Sequence, residues 1–532
     1  MANSATAPAQ KELFGHPVGL FILFFTEMWE RFSYYGMRAI LVLYLVSATQ
    51  DGNAGLGWTQ ENALILYGWY TMLVYVVSIP GGILADKVFG QKKAVLIGGI
   101  ILVAGHGILA VEEMWAFYTG LGLIIAGVGL LKPNISTMVG GLYKEGDIRR
   151  DKGFTIFYIG INLGAFLASL IVGTVGEVYG WHYGFGLAGI AMAFGLIVYL
   201  WGQKYLTEVG NLLSKAERDE GASLGGLFAD LFKSPRELII TVVLFALSIY
   251  GMYELGVGYG LLFIFLTLVV AMMLMVYKDL TSQVMKDRYV VMLLSFILVI
   301  VFWGAFEQAG GLMNIYAFEK TDRSIPFELP WGIGAEVPAS WFQSLNALFI
   351  IIFGVIVANF WAKRKLKSKE ASSIFKMAIG VIIMGLGFIF MVFASLQFEA
   401  QGESAMYWLV FAYLLHTIGE LCTSPVALSF ITKLSPVKYA SLMMGVYFAA
   451  TGLGNKVAGE VGAFAAEAGD IATFTGITIF TVTFAGIVLL MLKPLKRLTH
   501  GAEDNEREIP QQENYELGDE NIIDKEELKR KK

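Results

Sequence analysis

The stretch FTEMWERFSYYGMR, residues 25–38, places Glu27, Glu30, Arg31 and Arg38 inside an otherwise apolar run. VGLFILFF precedes it and AILVLYLV follows. The segment from Pro17 to Val46 is therefore long enough to span a bilayer, which takes roughly 20 helical residues. Each ionised side chain near mid-bilayer costs at least about 2.5–3.5 kcal/mol on insertion scales. At ~100° per residue, positions 27, 30, 31, 34, 35 and 38 fall within one helical stripe about 140° wide. Glu27, Glu30, Arg31, Tyr34, Tyr35 and Arg38 thus share a face that must meet protein or water. A purely structural ion-pair network is the competing reading, but nothing structural requires four charges where leucine would pack at lower cost.

Working outward, the whole chain has the composition of a membrane protein. Only 16% of its 532 residues are charged, against about 25% in soluble domains, and the mean hydropathy is +0.62. An all-α polytopic membrane protein follows. The start, MANSATAPAQKELFGHP, lacks a charged region followed by a cleavable apolar core, so no signal peptide is expected. Cys422 is the single cysteine, which excludes an internal disulfide and a cysteine-clustered metal site. Apolar windows predict a six-helix bundle over 17–203, an inserted transmembrane hairpin over 238–277, and a second six-helix bundle over 289–493. That makes 12 transmembrane helices plus the hairpin, 14 in all. Residues 1–16 read as a cytoplasmic N-terminus, 204–237 as a cytoplasmic linker, and 494–532 as a polar cytoplasmic tail.

Basic residues set the orientation. Lys87, Lys92 and Lys93 follow the second span, Lys144, Arg149, Arg150 and Lys152 the fourth, and Lys363, Arg364, Lys365, Lys367 and Lys369 the second span of the second half. The alternate loops are poor in bases. By the positive-inside rule the basic loops, the linker and both termini are cytoplasmic. Two six-span halves of like hydropathy suit a transporter with its site near the midplane, where the halves meet. An enzyme would need a nucleophile–base pair or a metal cluster; no such context stands out.

Polar residues within the other spans supply partners. Lys132 precedes Pro133, which breaks the helix ladder; Glu307, Glu420, Asn162 and Asn346 lie in further spans. Four acids (Glu27, Glu30, Glu307, Glu420) then face three bases (Arg31, Arg38, Lys132), with the bases confined to the first half. A cleft between the halves would have a positive wall opposite a negative one. That polarity suits a zwitterion, with its carboxylate near Arg38 and Lys132 and its ammonium near Glu420. A dipeptide spans ~7 Å between its ends. If cargo claims a cation, the abandoned carboxylate should take up a proton, so the surplus acid points to proton coupling. Sodium coupling is the competitor, without an obvious uncharged oxygen cage. Tyr35 and Tyr75 suit a pocket wall, since a phenol offers an apolar face and a hydrogen bond. His106 reads as a packing residue, His416 as a lining residue or a proton site, and GINLG (160–164) as close helix packing.

These residues resemble the proton-dependent oligopeptide transporters, within the major facilitator superfamily. Glu27, Glu30 and Arg31 resemble that family's ExxER motif; GFTIFYIGINLGAF (153–166) is similar to its FYxxINxG signature, and GLLKPNIST (129–137) to its lysine-bearing fourth span. FWGAFEQAGG (302–311), PASWFQSLN (338–346) and GELCTSP (419–425) look like its seventh, eighth and tenth spans, and GGILADKVFGQKK (81–93) like the superfamily's loop motif. The hairpin resembles that of bacterial members. The resemblance implies a proton-coupled symporter importing di- and tripeptides by alternating access. It also implies a multi-pass protein of the bacterial inner membrane, working as a monomer in the lipid bilayer. No cofactor, metal or nucleic-acid partner is expected, with the proton as co-substrate.

Residue by residue, the resemblance implies proton coupling by Glu27, Glu30 and Arg31, with Lys132 pairing with them. Glu307 and Trp303 match the seventh-span pair, whose acid exchanges ion-pair partners. Tyr35, Arg38, Tyr75, Lys132, Asn162, Trp303, Asn346, Glu420, Ser424 and Tyr447 match substrate-binding positions. The departures are Gly68 in place of a histidine found in some relatives, Tyr447 in place of a tryptophan, and Ala347 and Val355 in place of prolines. The alternative cargo is another small solute, an amino-acid derivative or nitrate.

Overall fold

The chain is described by a computed structural model over residues 11–503, apart from 51, 145, 146, 148, 207, 208 and 213–234. The expectations for residues 1–10, for most of the linker and for the tail from 504 lie outside the described residues. Pro17, whose fixed φ suits a helix start, precedes α1 (Val18–Val46). The first group of helices continues with α2 (Gln60–Phe89), α3 (Gln91–Leu109), α4 (Met114–Gly141), α5 (Lys152–Tyr179) and α6 (Trp181–Gly202). Next comes the hairpin of α7 (Pro235–Leu255) and α8 (Val257–Asp279). The second group is α9 (Gln283–Phe306), α10 (Trp341–Leu366), α11 (Ser373–Gln401), α12 (Met406–Leu434), α13 (Ala440–Ala468) and α14 (Asp470–Leu490). Among the described residues, 11 helices are long and apolar enough to cross a membrane by composition alone. α1 is not one of them, because its buried charges offset its apolar flanks.

α4 runs through Pro133 as one helix, so the proline removes a rung without ending the element. The 319–339 connection contains a small antiparallel ribbon, Ser324–Leu329 against Gly334–Glu336. Its turn holds Trp331 and Gly332 at φ of 59° and 69°, a conformation open chiefly to glycine.

The two halves meet along two seams, α2 against α13 and α5 against α10. In the first, a Cβ on Gly68 would fall 2.9 Å from the Gly459 Cα and 3.3 Å from the Lys456 carbonyl oxygen. The histidine of some relatives therefore has no room here; the backbone of α13 occupies its place. Within the first half, Gly164 brings α5 onto α1, since a Cβ there would lie 2.3 Å from the Met28 carbonyl oxygen. Close packing, as read for GINLG, is the role that geometry gives it.

Polar contacts between the halves gather at the end of the molecule that holds the loops after α1 and α5. Glu177, at the end of α5, accepts hydrogen bonds from the Ala339 and Ser340 amides at 2.8 Å each and from Ser340 Oγ at 2.5 Å. Trp341 Nε1 donates to Thr174 Oγ1 at 2.8 Å, and the Tyr179 hydroxyl donates to the Trp331 carbonyl. Asn314 Nδ2 and Gln343 Nε2 reach the Ala39 carbonyl at 2.8 and 3.3 Å. This end is closed by cross-half bonds.

Candidate functional site

The charged stripe of α1 is enclosed by protein. Arg31 Nε lies 2.9 Å from Glu27 Oε1 and 2.6 Å from Glu30 Oε2, with all three side chains buried. The Arg31 guanidinium also faces the rings of Tyr34 and Tyr35, at 5.8 and 6.0 Å from their centroids. One guanidinium thus serves two carboxylates, and the cluster carries one more acid than base.

Lys132 departs from expectation. Among the described residues it forms no ion pair; its Nζ stands 3.6 Å from the centre of the Tyr75 ring, a cation–π distance. Glu27 and Glu30 already share Arg31, so Lys132 acts on them through its field rather than by contact. It lies on the same cleft wall as Tyr75, and both are half-buried.

Arg38 and Glu307 join the halves. Arg38 Nη1 donates to Glu307 Oε1 at 2.8 Å, and the Tyr67 hydroxyl donates to the same oxygen. Glu307 is 2% exposed. The Arg38 guanidinium also stacks over Tyr35 at 4.9 Å. Arg38, read from the sequence as a contact for the cargo carboxylate, is engaged here in the cross-half bridge.

On the second half, Asn346 Nδ2 donates to Glu420 Oε2 at 2.7 Å and contacts Thr417 Oγ1 at 3.1 Å. Glu420 feels the charges of Arg38 and Glu307, and Tyr35 feels Glu420. These groups from opposite halves therefore share one electrostatic region. Thr451 Oγ1 donates to the Tyr447 carbonyl at 3.1 Å, while Trp303 packs on α13 at Gly454, where a Cβ would lie 2.7 Å from its own. Tyr35, Tyr75, Lys132, Trp303, Asn346, Glu420 and Ser424 each keep partial exposure within their helices, as the wall of a cleft between the halves would. Asn162 is more withdrawn: it is buried, and its Nδ2 bonds the Tyr158 carbonyl at 2.9 Å.

His106 and His416 both pack. His106 is fully buried, and His416 lies 4.4 Å from the Phe388 ring rather than against Glu420. Sequence reasoning missed Tyr67, Glu177 and Lys456. The last overturns the reading that bases are confined to the first half. Its signal was legible, a Lys and a Glu four residues apart in an apolar span, but it was masked by the alanines and glycines around it.

The family model described as PTR2, POT family, matches residues 92–477. The chain belongs to the POT family. Across 498 residues it is 40% identical to an uncharacterized transporter, YclF, of Bacillus subtilis (strain 168), covering 92% of this chain and 97% of that protein. It is 35% identical over 506 residues to a di-/tripeptide transporter of Lactococcus lactis subsp. cremoris, covering 92% and 98%. Its structure is similar to a crystal structure of a peptide transporter POT in complex with sulfate, with a TM-score of 0.77 and 36% identity over 92% of this chain and 97% of that one. The fold of this POT family member is that of the major facilitator superfamily, and it is a membrane transporter.

Proposed function

We propose that this POT family member is a proton-coupled symporter that imports di- and tripeptides by alternating access. The observation that carries the reading is the division of cations: Arg31 serves two carboxylates within α1, while Arg38 is held by Glu307 across the halves. A peptide entering between the halves presents its carboxylate to Arg38 and Lys132 and its ammonium to Glu420. Claiming Arg38 frees Glu307, and a buried carboxylate without its cation takes a proton. With the bridge neutralised, the sealed end opens; release of the proton and of Arg38 restores the bridge and seals it again.

Glu420 favours peptide over nitrate, since a fixed carboxylate in the pocket repels an anion. Tyr35, Tyr75, Trp303 and Tyr447 offer flat apolar faces to varied side chains. Glu27, Glu30, Arg31, Lys132 and Glu307 couple the proton, and Asn162, Asn346 and Ser424 complete the peptide site. The termini are cytoplasmic in this reading, the sealed end faces the exterior, and the protein works as a monomer in the bacterial inner membrane. A potential of ~100 mV supplies roughly 2.3 kcal/mol per proton, or about 50-fold accumulation of a neutral peptide.

Uptake of labelled dialanine into proteoliposomes tests this reading. The expected result is accumulation under an imposed inward proton gradient, competed by di- and tripeptides and not by nitrate or free amino acids. Accumulation that needs sodium, or is competed by nitrate, would contradict it.

A further inference from the structure

The inserted hairpin reaches a charge buried in the membrane. Lys456 on α13 is 2% exposed. It stands 12 residues before the end of the helix, about 18 Å deep at ~1.5 Å per residue, near the middle of a roughly 30 Å hydrocarbon layer. Its Nζ is paired with Glu460 one turn along and lies 3.5 Å from the Tyr259 hydroxyl of α8. Tyr259 donates to Glu460 Oε1 at 2.6 Å. The rings of Trp69, on α2, and Tyr259 stand 4.5 and 4.9 Å from the ammonium and meet each other edge to face at 5.4 Å. First half, second half and hairpin meet on one lysine.

At its other end α8 is tied to the same neighbour. Asp279 accepts from Lys438 Nζ at 2.9 Å and from the Tyr439 hydroxyl at 2.7 Å, just before α13 begins. Between these ties the two hairpin helices pack chiefly on each other, with Ala271 and Met275 forming a small apolar cluster, while the Met273 carbonyl accepts from the Tyr289 hydroxyl of α9 at 3.0 Å. So α8 is bolted to α13 at two depths, whereas Trp69 belongs to the opposite half. Trp69 adjoins Gly68, at the point where α2 and α13 touch backbone to backbone. One turn past Trp69 the same seam brings Met72 and the pocket residue Tyr75 against Gly452.

We propose that the hairpin is a strut on α13 whose Tyr259 positions the Lys456–Glu460 pair, so that the ammonium holds Trp69 and fixes the α2–α13 seam when the outer end is sealed. The proposal rests on the alternating-access reading in one respect, that this seam moves during transport. Trp69, Tyr259, Lys456 and Glu460 are positioning residues; their contacts are with one another and not with the groups assigned to peptide or proton.

The test is electron–electron distance measurement on the full chain in nanodiscs, with spin labels on Asn62→Cys and Glu467→Cys in a Cys422→Ser background. Trp69→Leu and Tyr259→Phe should each lower the sealed-state distance population relative to the longer one by about threefold or more, the scale of a single cation–π contact or hydrogen bond. Trp69→Tyr, which keeps a ring, should restore much of it. Tyr259→Phe removes only a hydroxyl and is expected to fold, so a failure of Trp69→Leu to fold leaves that arm decisive. Unchanged distance distributions in the folded variants would overturn the strut. Dialanine uptake is read separately: transport with unmoved distances contradicts the strut alone, and shifted distances without peptide transport contradict the cargo alone.

Discussion

Two charge clusters lie inside the membrane, each built on a single helix from residues up to four positions apart, and they differ in balance. On α1, Glu27 and Glu30 share Arg31; on α13, Lys456 and Glu460 pair one to one under two aromatic rings. A balanced, caged pair has no reason to change charge when the structure moves. Two acids on one base, in contrast, are one neutralising event away from holding a proton. In the proposed reading, charge stoichiometry separates these two single-helix clusters, and the one-to-one Arg38–Glu307 pair couples because cargo can claim its cation.

Removing the surplus acid should have the largest effect. Glu30→Gln is expected to reduce gradient-driven dialanine accumulation from about 50-fold to near unity while counterflow exchange continues, as measured by uptake into proteoliposomes with peptide preloaded inside. Next in size, Gly68→Ala drives a methyl group into the backbone of α13. Overpacking of this kind costs roughly 1–3 kcal/mol, so the uptake rate should fall by about tenfold with the accumulation ratio kept. Smallest is Glu460→Gln, which should slow uptake by only a few fold, the scale of one hydrogen bond, and leave the accumulation ratio unchanged. Loss of accumulation in Glu460→Gln, matching Glu30→Gln, would erase the distinction between the two clusters.

Much of this was legible in the sequence, for physical reasons. The helices follow from apolar length, and the α1 stripe from the 3.6-residue period acting on four charges in one span. Opposing charges on two halves predicted that Arg38, Glu307 and Glu420 would share one region. What the sequence could not reveal is which partner each charge takes. Arg38 pairs with Glu307 across 269 positions, and Tyr67 donates to the same carboxylate oxygen. Lys132 turns to Tyr75 because Arg31 occupies the nearer acids. Lys456 stayed hidden because alanines and glycines mask its local pairing and its cage comes from two remote helices. Gly68 read as a missing histidine; only the approach of Gly459 explains why no side chain fits.

The central claim is that cargo competes with Glu307 for the Arg38 cation, so that peptide binding draws a proton onto the released carboxylate. Its most direct test is isothermal titration of dialanine into the purified protein in two buffers of different ionisation enthalpy. The account predicts net proton uptake on peptide binding near pH 7, and its loss in Glu307→Gln. Peptide binding with no net proton exchange at any pH from about 5 to 8 would contradict it.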